Sequence, residues 1–247
     1  LLYFNANDGD FGADKHDFEL WVSDGTDAGT SLVADISLGV GKGSNPQQMF
    51  VFNGKLYFQA NDGSSTQFWR YDATTAPVKI TEINGGNYAT PSFPVVDEAN
   101  GITYFKVNNP KSQLGVLKAD ETYDVIELNP TNHGFAGQGI IYKNKYYFDG
   151  DNGTDGDELF VSDGTVAGTS MLKDINVGAD SDPEGFTIYN DELYFIAAAA
   201  TGMQLWKTDG TAEGTVMVAE PFEGGDANMD HLTLYDGKLY FSATDGI

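Results

Sequence analysis

The sequence predicts an all-β protein built from four-stranded antiparallel sheets, and three observations lead there. Short apolar runs rich in Val, Leu, Tyr and Phe alternate with polar positions along the chain. Two-residue steps such as Asn53-Gly54, Asn100-Gly101 and Asp236-Gly237 separate neighbouring runs, and they favour tight hairpins because glycine tolerates the positive φ such turns need. The pattern also recurs: ELWVSDGTDAGTSLVADI at 19–36 is nearly rewritten as ELFVSDGTVAGTSMLKDI at 158–175 and as QLWKTDGTAEGTVMVAEP at 204–221. No stretch carries a convincing helical period, which argues against a parallel sheet with crossover helices.

Each unit parses into four strands, taken here in chain order. The first is FVF at 50–52, matched by TLY at 233–235. An Asn-Gly or Asp-Gly turn leads to the second, seen as LLYFNA at 1, KLYFQA at 55, ITYFKV at 102, KYYFDG at 145, ELYFIA at 192 and KLYFSA at 238. A polar loop leads to the ELW strand. The turn at Asp24, Asp72, Asp120, Asp163 and Asp209 then leads to the fourth, with intervals of 48, 48, 43 and 46 residues. The units run approximately 1–45, 46–91, 92–132, 133–182 and 183–228, with a partial unit at 229–247, all within one domain of 1–247.

That spacing matches a propeller blade, in which radial stacking lets each sheet cover its neighbour. The expected fold is therefore a β-propeller of four-stranded blades. Five blades result if the strand HLTLY completes the first unit, six or more if the chain is a truncated piece. An open β-solenoid or linear array and other all-β arrangements are the alternatives.

Lys plus Arg number 13 against 37 Asp plus Glu, a formal charge of −24. Such a field repels a polyanion, so nucleic acid is not an expected partner. The 40% hydrophobic and 13% aromatic content argues for a folded domain, not an acidic tail. Cysteine is absent, which removes thiol catalysis and thiolate metal sites and leaves the compartment open. The longest apolar candidate, LYFIAAAA at 193–200, is far short of a membrane span, so no membrane insertion is expected. No signal peptide opens the chain; its start reads as a cut through a strand, so a targeting segment can lie outside it.

Trp21, Trp69 and Trp206 share one position, where Leu117 and Phe160 stand in the other units; that interchange predicts sheet-to-sheet packing rather than a sugar platform. Asp24, Asp163 and Asp209 are expected to accept hydrogen bonds from amides two residues on, helped by Thr26, Thr165 and Thr211 and by the glycines Gly25, Gly164 and Gly210.

Function is sought where the units differ. The loop at 149–158 carries Asp149, Asp151, Asp155, Asp157 and Glu158, and the loop at 5–20 carries Asp8, Asp10, Asp14, Asp17 and Glu19. Carboxylates alternating around glycines can wrap a hard cation that takes six to eight oxygens, so both loops are expected to bind calcium. The loop at 149–158 is not an EF-hand, since the glycine at the sixth and the glutamate at the twelfth position are missing. Tyr88, Phe93, His133, Phe135 and Phe186, in the inter-unit linkers, are candidate ligand-binding residues, with plugging between sheets as the structural alternative. The three histidines fall at unrelated phases and form no metal set. No nucleophile elbow, phosphate loop or HExxH helix is present, and no pair of acids stands out as a glycosidase pair.

With these segments in view, the chain resembles bacterial secreted or cell-surface repeat proteins carrying ELWxSDGTxxGTxxVxDI units. The likeness is strong at Glu19–Ile36, Glu158–Ile175 and Gln204–Glu220, and degraded at 67–83 and 115–128. The resemblance implies an extracellular location, propeller-like blades and a scaffold, adhesion or ligand-binding role. The expected function is a non-catalytic binding or adhesion module that meets a glycan or a cell-surface protein, beside other domains of a larger parent chain. A structural spacer and a polysaccharide-active enzyme are the alternatives.

Overall fold

The computed structural model describes residues 1–7, 18–38, 42–83, 90–108 and 111–247. Among these the regular structure is strand alone, arranged in six separate antiparallel sheets. The first holds β1 (Leu2–Ala6), β2 (Glu19–Ser23) and β3 (Ser31–Ala34). The second holds β4 (Gln47–Phe52), β5 (Lys55–Asn61), β6 (Thr66–Tyr71) and β7 (Val78–Lys79); the third, β8 (Thr90–Asp97), β9 (Ile102–Asn108), β10 (Ser112–Lys118) and β11 (Tyr123–Ile126). The fourth holds β12 (Phe135–Tyr142), β13 (Lys145–Asp151), β14 (Asp157–Ser162) and β15 (Ser170–Lys173). The fifth holds β16 (Glu184–Tyr189), β17 (Glu192–Ala199), β18 (Gly202–Thr208) and β19 (Val216–Ala219), and the sixth only β20 (Asp230–Tyr235) and β21 (Lys238–Ser242).

Within every sheet the strands lie in chain order, as short connections dictate. Hairpins between first and second strands turn through paired positive-φ residues: Asn53 at 48° and Gly54 at 70°, Lys143 at 47° and Asn144 at 61°, Asp236 at 45° and Gly237 at 68°. Two successive left-handed residues give the turn whose twist matches the flanking strands. The register from second to third strand is constant, with Phe4 opposite Trp21, Phe58 opposite Trp69, Phe148 opposite Phe160 and Phe195 opposite Trp206.

The five-bladed propeller is not what the chain forms. Its closure required the last first strand to complete the first sheet. Instead, among the described residues, β20 is hydrogen-bonded to β21 alone, and β1 is the edge of a three-stranded sheet. Among the described residues the six sheets are separate and unequal, with three, four, four, four, four and two strands, and do not make the closed set of four-stranded blades that a propeller requires. The physical reason is local: the Asp236-Gly237 turn joins HLTLY to KLYFS within a few residues, and a hairpin costs far less loop entropy than closure across the whole chain.

The chain divides into two compact units, one of residues 1–111 and 115–124, the other of 112–114 and 125–247. In the first, Phe52, Tyr57 and Phe68 of the second sheet pack with Phe105, Val107 and Leu117 of the third, while Leu20 packs with Phe58 and Ala60. In the second, Tyr142, Tyr147, Leu159 and Val161 of the fourth sheet pack with Leu193, Phe195 and Trp206 of the fifth, and Ile196, Leu205 and Leu232 join the fifth to the sixth. Because alternate strand residues face opposite sides, the Tyr-Phe pair of each second strand serves two different layers.

Candidate functional site

Near the start of each third strand stands a buried Glu or Gln: Glu19, Gln67, Gln113, Glu158 and Gln204. Each ties its strand to the chain that follows the fourth strand. The Glu158 carboxylate accepts the Ile175 N–H at 2.7 Å, the Asn176 N–H at 3.2 Å and the Ser181 hydroxyl at 2.7 Å. Glu19 accepts the Ile36 and Ser44 N–H groups, at 3.2 and 2.8 Å, and the Ser44 hydroxyl. Gln113 accepts the Leu128 N–H at 2.8 Å and donates to the Asn129 carbonyl at 3.0 Å. The structure thus gives Glu19 and Glu158, two of the expected metal ligands, protein donors at both carboxylate oxygens. Burial raises the Glu158 carboxyl, and its hydrogen bonds oppose that rise.

The Asp-Gly-Thr segments are Asx turns. Asp163 Oδ1 accepts the Thr165 N–H at 2.9 Å and hydroxyl at 2.7 Å, and Thr165 Oγ1 accepts the Gly168 N–H at 3.0 Å. Asp24 with Thr26 and Gly29, and Asp209 with Thr211 and Gly214, repeat these bonds. The threonine donors hold all three carboxyls below the usual range. Gly25, Gly164 and Gly210 take φ of 93°, 88° and 100°. Trp69 donates to the Ala60 carbonyl at 3.2 Å, Trp206 is buried, and Trp21 is half-buried.

The loop at 151–157 is closed by an asparagine side chain. Asn152 Oδ1 accepts the Thr154 N–H and hydroxyl at 2.9 and 2.8 Å and the Asp155 N–H at 3.1 Å, and Asn152 Nδ2 donates to Asp155 at 2.8 Å. Asp151 accepts the Gly153 N–H at 2.5 Å and Asn129 Nδ2 at 2.7 Å. Among the described residues no group of three or more His, Asp or Glu is arranged to hold a metal ion. Asp8, Asp10, Asp14 and Asp17 lie outside the described residues.

Asp149 takes no part in these loop hydrogen bonds. It shares the strand face of Tyr147, toward the fifth sheet, and borders a cavity of about 480 Å³. Gly137, Gln138 and Gly139 of β12 and Pro183, Glu184, Gly185, Phe186, Thr187 and Leu232 complete the lining. Gly139 lets β12 lie close on β13, since a Cβ there would strike the Tyr147 carbonyl and the Tyr146 ring. Asp149 Oδ1 is buried with no hydrogen-bond partner. Burial first, then the charges of Asp157, Asp182, Glu158 and Asp180, push its carboxyl up to about 8. Asp157 rises to about 6 through burial and Asp180, Asp151 and Asp182. Near neutrality Asp149 is thus an acid that can both donate and accept a hydrogen bond.

Of the expected ligand-binding residues only Phe186 lines the cavity, packed on Phe195 with ring centroids 5.8 Å apart. Phe135 is buried against Phe148, as a plug would be. His133 is exposed and its Nδ1 accepts the Ser112 N–H at 2.8 Å. Phe93 is part-exposed at φ 52°, its N–H donating to Gln48 Oε1 at 3.2 Å. Tyr88 lies outside the described residues. Gln138, Glu184 and Thr187 carry no motif and are invisible in the sequence. Asp149 had one available signal: it is the single acid at a strand position held elsewhere by Asn5, Gln59, Lys106, Ile196 and Ser242.

No family model matches the chain, and no curated protein matches it. Neither result bears on the resemblance of the ELWxSDGT units, which rests on the sequence alone. Solved structures match in fold. One is from a structural and mechanistic analysis of two prolyl endopeptidases, at 11% identity and TM-score 0.52 over 97% of this chain and 37% of that one. Another is the puromycin hydrolase S511A mutant complexed with PGG, at 13% identity and TM-score 0.50 over 88% of this chain and 37% of that one. The chain therefore spans little more than a third of either enzyme, and the likeness is one of fold alone.

Proposed function

We propose that the chain is a non-catalytic binding module that takes a neutral, hydroxyl-rich ligand such as a sugar unit between the fourth and fifth sheets. The observation that carries this reading is the cavity with Asp149 at its wall. A protonated carboxyl, the Gln138 amide and the Thr187 hydroxyl supply donors and acceptors, while Phe186 supplies an apolar ring surface. The surrounding carboxylates disfavour an anionic ligand. The partial span of the matched enzymes supports placing the module within a larger parent protein, and an extracellular setting rests on the sequence resemblance.

Saturation-transfer NMR against a panel of neutral mono- and disaccharides at pH 6.5 tests this. Binding that disappears in both Asp149→Leu and Phe186→Ala supports the site. Binding to no sugar, or equal binding by both variants, removes it. The displaced acidities of Asp149 and Asp157 favour one second reading, a polysaccharide-active enzyme with an acid and a base among them. Chain cleavage by the wild type and not by Asp149→Asn would replace binding by catalysis.

A further inference from the structure

The first strands of four sheets share one irregularity, a bulge of two residues against one. In β4, 48 and 49 stand against Phe58; in β8, 93 and 94 against Phe105; in β16, 185 and 186 against Phe195; in β20, 231 and 232 against Phe241. The leading residue of each bulge is left-handed, with φ of 51° at Gln48, 52° at Phe93, 67° at Gly185 and 59° at His231. That conformation favours glycine and strains any other residue. Three of the four places nonetheless carry a large side chain, and the fourth, Gly185, borders the cavity.

In the second sheet the side chain at this place spans to the next bulge: Gln48 Oε1 accepts the Phe93 N–H of the third sheet at 3.2 Å. Gly185 has no side chain to span with. A Cβ there would lie 3.5 Å from the Leu232 Cβ and 3.8 Å from the Ile196 Cδ1, ordinary contact distances. The absent side chain would thus run toward the sixth sheet, where Leu232 forms part of the cavity wall. We propose, on the footing of the binding reading above, that Gly185 determines what the cavity admits. Its missing side chain keeps the rim open, and a ligand ring enters where a glutamine, phenylalanine or histidine would otherwise stand.

The surroundings of Gly185 fit a selective rim. Gly185 is exposed, while Phe186 beside it is half-buried against Phe195. The approach to it is tied down: Ser181 donates its N–H to the Asp157 carbonyl at 2.8 Å and its hydroxyl to Glu158 at 2.7 Å, and its carbonyl accepts the Ala198 N–H at 2.7 Å. On the far side the Thr187 hydroxyl donates to the Gly185 carbonyl at 3.1 Å. Across the cavity the fourth sheet has a larger bulge, with residues 136–138 against Asp149 alone, and the bend this puts in β12 leaves room beside that carboxyl. A backbone fixed before binding discriminates by shape, so volume at residue 185 translates directly into affinity.

The test takes the whole 247-residue chain and titrates it with neutral mono- and disaccharides at pH 6.5, read by saturation-transfer NMR. Gly185→Ala, Gly185→Gln and Gly185→Phe are compared, each checked for folding by circular dichroism. All three carry the same left-handed strain, so they differ in volume alone. Gly185→Ala is expected to weaken binding by about threefold or less, and Gly185→Gln and Gly185→Phe by about tenfold or more. Should Gly185→Phe fail to fold, Gly185→Gln decides, since Gln48 shows that side chain carried at this φ. Equal binding by the three variants overturns the role of Gly185 and leaves the binding reading standing. Loss already complete in Gly185→Ala overturns it as well, because strain and not space is then the cause. A wild type that binds no saccharide overturns both.

Discussion

At the scale of the residue, glutamate and glutamine interchange at one buried position for a reason visible in their partners. Glu19 and Glu158 face donors only: backbone N–H groups and a serine hydroxyl. Gln67 and Gln113 face a carbonyl as well as donors, from Ile83 and Asn129, and Gln204 donates to the Gly225 carbonyl. A carboxylate offers only acceptors, whereas an amide offers one acceptor and one donor pair. Exchanging them is thus not conservative. Glu158→Gln sets an amide N–H against a protein donor and is expected to cost about 1–3 kcal/mol, the penalty of leaving a buried polar group unpaired. Gln113→Glu sets a carboxylate against the Asn129 carbonyl and costs at least as much. Denaturant titration of both variants checks this, and unchanged midpoints would show that the position is a spacer and not a clamp. The sequence displays the alternation but not the partners, which lie 15 to 25 positions away; that distance is why Glu19 and Glu158 read as free acids.

At the scale of the element, the Asp-Gly-Thr turn was legible because its bonds run between near neighbours. Asp163, Thr165 and Gly168 close a local ring that needs nothing from the rest of the fold. Its tightness has a consequence the sequence does not display. A Cβ on Gly168 would fall inside the Asp163 carboxylate, and the same holds for Gly29 with Asp24 and Gly214 with Asp209. Gly168→Ala must therefore expel the Asp163 side chain and release the bonds it accepts, at a cost of about 1–2 kcal/mol. Since the harm is the loss of those bonds, Asp163→Ala destroys the same feature, and the double variant should be markedly less destabilised than the two costs added. A double-mutant cycle read by thermal melting measures the shortfall. Full additivity would mean that the glycine serves backbone freedom alone. The loop at 149–158 shows the limit of the same scale: its carboxylates stand out in the sequence, whereas the acceptor that closes it is Asn152.

At the scale of the molecule, strands, hairpins and the alternation of packed faces could be read from apolar periodicity, while the number and closure of the sheets could not. Closure depends on whether β20 finds β1, and no local pattern encodes a pairing between chain ends. The cavity was hidden for a related reason, since Gln138, Asp149 and Phe186 come from three strands and meet only when two sheets stack. The pH dependence of stability is a property of this scale too. Asp24, Asp163 and Asp209 are held below their unfolded acidity, so their contribution is present above about pH 4 and lost as pH falls through their folded values. Asp149, raised to about 8, acts oppositely. The folded state favours its protonated form, so its contribution is complete below an unfolded value near 3.8 and declines as pH rises toward 8. Asp157 at about 6, with Asp182 and Glu158 also raised by burial, adds to the decline. Stability should therefore peak at mildly acidic pH and fall toward pH 8. Asp149→Asn keeps the shape of the side chain and cannot ionise, so between pH 5 and 8 it should flatten the falling limb by up to about 1.4 kcal/mol per pH unit. Urea unfolding of both proteins across that range measures the difference. Parallel limbs would mean that Asp149 is ionised in the folded chain and that a group other than its carboxyl accounts for the decline.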